Sequence, residues 1–151
     1  LLNYFFFFLI IIMKKLFIIL SALTLIFSSV SCESTEEIPK DLSAGQLLQK
    51  GQNAYSSSNY VDAERYYLET INRFGNNIEV FVEARYELGH LYMKTKEYKK
   101  AYENFNQILK IYQTEQGSRL SPSYKKLAQN GIDKIPEEEK AKFTSAKTDE
   151  E

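Results

Sequence analysis

"GQNAYSSSNYVDAERYYLETINRFG" at residues 51–75 and "GHLYMKTKEYKKAYENFNQILKIYQ" at residues 89–113 are two copies of one pattern. At an offset of 38, Gly51 falls on Gly89, Tyr60 on Tyr98, Ala63 on Ala101, Tyr67 on Phe105 and Phe74 on Tyr112. Agreement at one fixed offset is the mark of a repeat architecture. Inside the first copy, Leu47, Leu48, Gly51, Ala54 and Tyr55 form one stripe at three-and-four spacing, and Tyr60, Ala63, Tyr67 and Ile71 form a second. Each copy therefore predicts a pair of amphipathic helices. Gly51, Ala63, Gly89 and Ala101 are small where two helices must cross closely, and the aromatics fill the space beside them. Turn-forming runs separate the helices: "SSSN" before Tyr60, "GNN" after Phe74, "KTKE" before Tyr98 and "EQGSRLSP" after Tyr112.

Outward from the repeats, Ser121 and Pro122 make an N-cap and first-turn pair for a fifth helix. Tyr124, Leu127, Ala128, Ile132 and Ile135 lie on one side of it. With no partner expected after it, this helix should cap the stack, because the end of a repeat array otherwise exposes its apolar face. Residues 136–151 are charged and poor in apolar groups, and are expected to form a disordered tail.

The pattern resembles the tetratricopeptide repeat. Leu88, Gly89, Tyr92, Tyr98, Ala101 and Phe105 stand at that family's spacing, with Ile108 where a small residue is usual. The first copy has Lys50 in place of Leu and Thr70 at the later small site. The offset of 38 also exceeds the family's period of about 34. The excess falls around "GNNIEVFV" and lengthens either the turn between repeats or the start of the next helix. The resemblance implies an all-α domain over residues 43–135. It would hold about two helical hairpins plus the capping helix, in a short right-handed solenoid. It also implies a partner-binding concave face built from Leu48, Gln52, Tyr55 and Ser56 in the first copy and Glu83, Tyr86, His90, Met93 and Lys94 in the second. Among these, Tyr55, Tyr86 and His90 are the expected contact residues. The alternative makes both tyrosines core aromatics and His90 a solvated surface imidazole.

The N-terminal 31 residues have another character. They hold no acidic residue and only Lys14 and Lys15 as basic ones. From Met13, "MKKLFIILSALTLIFSSVSC" runs from two lysines through an apolar core to small residues, the layout of a secretory signal peptide. Met13 is read as the true start, which makes residues 1–12 an upstream extension. A second reading keeps residues 1–12 and 16–30, broken by Lys14 and Lys15, as an uncleaved anchor or a hairpin, against the cost of two lysines in mid-membrane, about 2.5–3.5 kcal/mol each.

At the end of this segment stands Cys32, the chain's single cysteine. Val30, Ser31 and Cys32 resemble the end of a bacterial lipoprotein lipobox, with Ser29 where Leu is usual. The resemblance implies a diacylglycerol or palmitate-type lipid on Cys32. A short polar segment, residues 32–42, would then tether the domain flexibly to the membrane.

Composition narrows the remaining chemistry. Without residues 1–31 the charged groups are 17 basic (19 minus 2) against 20 acidic, a formal charge of −3. Nucleic-acid binding, which needs a basic face, is not expected. One cysteine permits no internal disulfide, and one histidine with scattered carboxylates offers no metal site. No phosphate loop or nucleophile motif is present, so neither an enzyme nor a cofactor is expected.

In its arrangement the chain resembles helical-repeat lipoproteins of outer-membrane assembly. That implies a membrane-anchored protein–protein interaction adaptor in the cell envelope, facing the periplasm or the exterior and binding envelope proteins. Two other readings stay open, a small-ligand or lipid-binding envelope lipoprotein and a signal-anchored helical subunit. The exposed ends of so short a stack also leave homo-oligomer formation open.

Overall fold

The computed structural model describes Phe6, residues 12–14 and residues 37–144. The expected signal sequence, apart from Phe6 and residues 12–14, and Cys32 lie outside the described residues, as do residues 145–151. The chain divides into two compact units, Leu1–Glu37 and Ile38–Glu151. In the first, Phe6 and residues 12–14 are helical and exposed. The repeats lie in the second.

That unit is all-helical among its described residues. Its helices are α1 (Ala44–Ser56), α2 (Tyr60–Phe74), α3 (Ile78–Lys94), α4 (Tyr98–Ile111), α5 (Ser123–Asp133) and α6 (Glu137–Thr144), with a 3-10 turn at Gly117–Arg119. Each of α1 to α4 packs on the next. In addition α3 touches both α1 and α5, whereas α6 lies on α4 and not on α5. This is a stack of tetratricopeptide-like hairpins in which α1, α3 and α5 stand side by side.

Local chemistry sets the helix ends. The Ser43 hydroxyl accepts the Gln46 amide N–H while the Gln46 side chain accepts the Ser43 N–H, a capping box that starts α1. Asn59 accepts the Asp62 N–H, and Asn77 accepts those of Glu79 and Val80. Both hairpin turns close in the same way. Asn59 N–H donates to Ala54 O and Ser58 N–H to Tyr55 O in the first turn, as Glu97 donates to Tyr92 and Lys96 to Met93 in the second. This is a Schellman motif, and it puts Ser58 and Lys96 at a φ of 63° where glycine is the usual choice. The two residues are 38 apart, so the repeat extends to backbone conformation.

The helix crossings explain the repeated glycines. A Cβ on Gly51 would lie 2.4 Å from Tyr67 Cε1, and one on Gly89 would lie 2.4 Å from Phe105 Cε1. Tyr67 and Phe105 are the largest fully buried side chains, and each ring sets one edge against a glycine of the facing helix, where there is no side chain. Gly131 approaches the far side of Phe105, where a Cβ would lie 2.5 Å from Cε2. Phe105 is therefore enclosed by two glycines. Around it Leu88, Ala101, Ile108, Ala128 and Ile135 complete the core.

Of the two places open for the excess in the offset, the helix takes it. The stretch from Ala44 to Asn77 is 34 residues long and its turns are tight, whereas α3 begins at Ile78, one turn ahead of Val82, the counterpart of Ala44. The added turn, residues 78–81, extends α3 at its amino end.

Five expectations are corrected. The charged stretch after Pro136 is helical over Glu137–Thr144 rather than disordered. Lys140 pairs with Glu137 and Lys142 with Glu139 along it, and Phe143 packs on Tyr102 with ring centroids 5.3 Å apart. The capping helix α5 is thus not the last. The tether is fixed at its end, because Arg73 Nη1 donates to Pro39 O at 2.7 Å and Nη2 to Ile38 O at 3.1 Å. Helix α5 starts at Ser123, with Pro122 as its N-cap, and the Ser121 hydroxyl contacts the Ser123 hydroxyl at 3.0 Å. Leu127, expected on the inner side of α5, is 39% exposed.

An aromatic and acidic face across three helices

The face shared by α1, α3 and α5 carries a row of rings. Tyr60, at the start of α2, lies 5.7 Å from Tyr55, and Tyr55 lies 5.3 Å from His90. His90 is followed by Tyr86 at 6.2 Å, nearly parallel to it, and Tyr86 meets Tyr124 of α5 edge-on at 5.6 Å. The row exists because Tyr86 and His90 are four apart on α3, one above the other, while Tyr55 and Tyr124 come from the helices on either side.

A second row on α3 is acidic. Glu79, Glu83 and Glu87 also recur at a spacing of four. Glu87 accepts from Gln52 Nε2 at 2.9 Å, linking α3 to α1. Among the described residues no lysine or arginine forms an ion pair with any of the three, although seven such pairs occur elsewhere.

These uncompensated carboxylates act on their surroundings. Burial, and then the charge of Glu87, raise the Glu83 carboxyl above the usual carboxylate range. Tyr86 is raised by burial and Glu87, and Tyr55 by burial, Tyr60 and Glu87. Burial, followed by Glu83 and Glu87, pushes Tyr124 up to about 12. The phenols therefore stay neutral, and the face as a whole is negative. Beneath it, burial and then Glu87 raise Tyr67 as well, whose hydroxyl is fully buried.

At the α5 end the face deepens into a pocket of about 230 Å³ lined by Glu79, Val82, Glu83, Tyr112, Leu120, Ser121 and Tyr124. The Tyr112 hydroxyl donates to Ser121 O at 2.5 Å, which fixes its ring as one wall. The added turn of α3 contributes Glu79.

Of the residues expected at a partner-binding face, Gln52, Tyr55, Glu83, Tyr86 and His90 are brought together here. Tyr55 and Tyr86 each pack against the core on one side and remain partly exposed on the other, whereas His90 is exposed. Leu48 is corrected: it is 6% exposed and belongs to the core, because Leu47, Leu48 and Gly51 together form the buried stripe of α1. Met93 is half-buried against the core. Ser56 is exposed, and its hydroxyl donates to Gln52 O within α1. Lys94 is exposed in the last turn of α3, where a cation suits the helix dipole.

Sequence reasoning missed Glu79, Glu87, Tyr112, Leu120, Ser121 and Tyr124 as parts of this face. The spacing of four from Glu83 was a usable signal for the two carboxylates. Nothing local marked the others, since they meet only after the segment between α4 and α5 has folded back.

Residues 82–115, from the second turn of α3 to just beyond α4, match the tetratricopeptide repeat family model. The chain therefore carries a tetratricopeptide repeat. A protein of Treponema pallidum (strain Nichols), recorded as an uncharacterized protein, is 34% identical over 109 residues, which covers 70% of this chain and 44% of that protein. The chain thus spans less than half the length of this relative. No solved structure matches it.

Proposed function

We propose that this chain is a protein–protein interaction adaptor of the bacterial cell envelope, held at a membrane by lipid on Cys32 and binding its partner through the α1/α3/α5 face. The observation that carries the reading is the row of rings from Tyr60 to Tyr124. Aromatic side chains with hydrogen-bonding groups at their edge are what a protein-binding surface needs, because they offer large contact areas at small conformational cost. A tetratricopeptide repeat over residues 82–115 supports the same class of activity. The anchor is supported by the sequence around Cys32, with an apolar core before it and a polar segment after it.

Capture from detergent-solubilised envelopes tests the face. Wild-type protein should retain a defined set of partners, and Tyr86→Ala or His90→Ala should lose members of it. If both variants capture the same set as wild type, the face is not the binding site. Metabolic labelling with a fatty acid, with Cys32→Ser as control, tests the anchor, and an unlabelled wild-type protein removes it. The small-ligand reading gains nothing from the pocket, whose 230 Å³ falls below the roughly 300–1,000 Å³ of small-molecule sites. A light-scattering concentration series decides whether the stack also pairs with a second copy.

A further inference from the structure

The pocket at the α5 end of the face has the chemistry of a cation receptor, and we infer that it takes the arginine or lysine side chain of the partner segment. This rests on the proposed reading of the face as a protein-binding surface and specifies what that surface recognises. Three features of the lining converge. Val82 and Leu120 supply apolar surface for an aliphatic stem. Tyr112 and Tyr124 supply aromatic rings, toward whose faces a guanidinium or ammonium is drawn by the ring quadrupole. Glu79 and Glu83 supply the carboxylates that a charged head pairs with. Long basic side chains divide in this way, with a buried stem and a charged tip.

Charge complementarity decides the sign of the occupant. Elsewhere in this unit acidic groups have found cations: Asp62 pairs with Arg65, Glu69 with Arg73, and Glu97 with Lys100. At the pocket Glu79 and Glu83 have none among the described residues, and Glu87 adds its charge to Glu83 from one turn away. An acidic segment would be repelled there. A neutral apolar one would bury the carboxylates without a partner, which is costly. A basic side chain relieves both penalties. The volume suits one such side chain, and the row of rings running away from it toward α1 offers surface for the residues beside it in the partner chain.

The test uses four degenerate nonapeptide libraries, identical except for a central arginine, lysine, citrulline or glutamate, passed over the immobilised 151-residue chain in mild detergent. Citrulline keeps the shape of arginine and removes its charge. The arginine and lysine libraries should be retained about tenfold above the citrulline library, and the glutamate library least. Glu83→Gln, which is isosteric and leaves the fold intact, should bring the arginine library down to the citrulline level. Tyr124→Phe, which keeps the ring face, should not. Raising salt should shrink the arginine preference, because the pocket opens to solvent. Equal retention of all four libraries overturns the cation reading and leaves the protein-binding face standing. Retention of none, with no binding of spermidine either, overturns both. Saturable binding of spermidine with no library retained would give the pocket to a free amine and overturn the peptide occupant.

Discussion

Gly89→Ala should destabilise the protein, although it replaces the poorer helix former with the best one. The methyl group would lie 2.4 Å from Phe105 Cε1, 2.7 Å from Cδ1 and 2.8 Å from Cζ. Such a clash is cheap only if the ring can retreat, and Gly131 presses on its opposite edge. Overpacking of this kind costs about 1–3 kcal/mol, and a ring held on both sides belongs at the upper end. Helix propensity returns about 1 kcal/mol. The net loss is on the order of 2 kcal/mol, a fall in Tm of about 10 °C for a domain near 100 residues. Urea and thermal unfolding followed by circular dichroism read it directly. Gly45→Ala is the control: it makes the same chemical change in α1, where a Cβ would meet nothing within 4 Å, and it should stabilise by up to about 1 kcal/mol. A third variant, Gly89→Ala with Phe105→Leu, should recover part of the loss, so the two changes are not additive. A Gly89→Ala protein as stable as wild type, or additivity with Phe105→Leu, would refute the account of the repeated glycines as ring contacts.

Three further outcomes follow from particular side chains. Arg73→Gln should free Ile38 and Pro39, speeding amide exchange and proteolysis around residues 38–42 while α2 itself stays folded; unchanged protection there would count against the clamp. Glu83→Gln should raise Tm at pH 7, because a carboxyl whose folded pKa is raised costs stability once it ionises. That cost is absent below the unfolded-state pKa of about 4.3 and grows as pH rises through the folded one, so the advantage of the variant should fade in acid, and a pH-independent gain would point to another cause. Lys96→Gly should be neutral or stabilising by up to about 1 kcal/mol by urea unfolding, since relief of the left-handed backbone outweighs the entropy glycine adds to the unfolded chain.

The hairpins were legible because their determinants are local and periodic. Gly51 and Gly89, with Tyr67 and Phe105 sixteen residues further on in each copy, announce a helix crossing before any coordinate is known. The end of the stack was less so. Residues 137–144 read as a solvated charged run, and one aromatic, Phe143, makes the contact with Tyr102 that docks them. The tether hid its clamp for a similar reason, since Arg73 reaches across 34 positions to a backbone carbonyl that no side-chain pattern records. At the face, family positions placed Leu48 among the contacts while the stripe of Leu47 and Leu48 already pointed inward. Glu83 and Tyr86 were found, but their pocket was not. It needs Tyr112 and Leu120, whose segment has neither helical nor strand period.

The added turn of α3 separates two dimensions of this stack that are usually fixed together. Four residues in a helix advance it by about 6 Å and very nearly one full rotation. Placed ahead of Val82, they leave every downstream side chain in its repeat frame, and the Gly89–Phe105 crossing is the same as the Gly51–Tyr67 crossing. The thickness of the stack is thus set by its crossings, and the height of one wall by how far a helix overshoots them. Glu79 stands on that overshoot. An architecture of this kind can change what its rim recognises by lengthening or trimming whole turns, with no renegotiation of the core beneath.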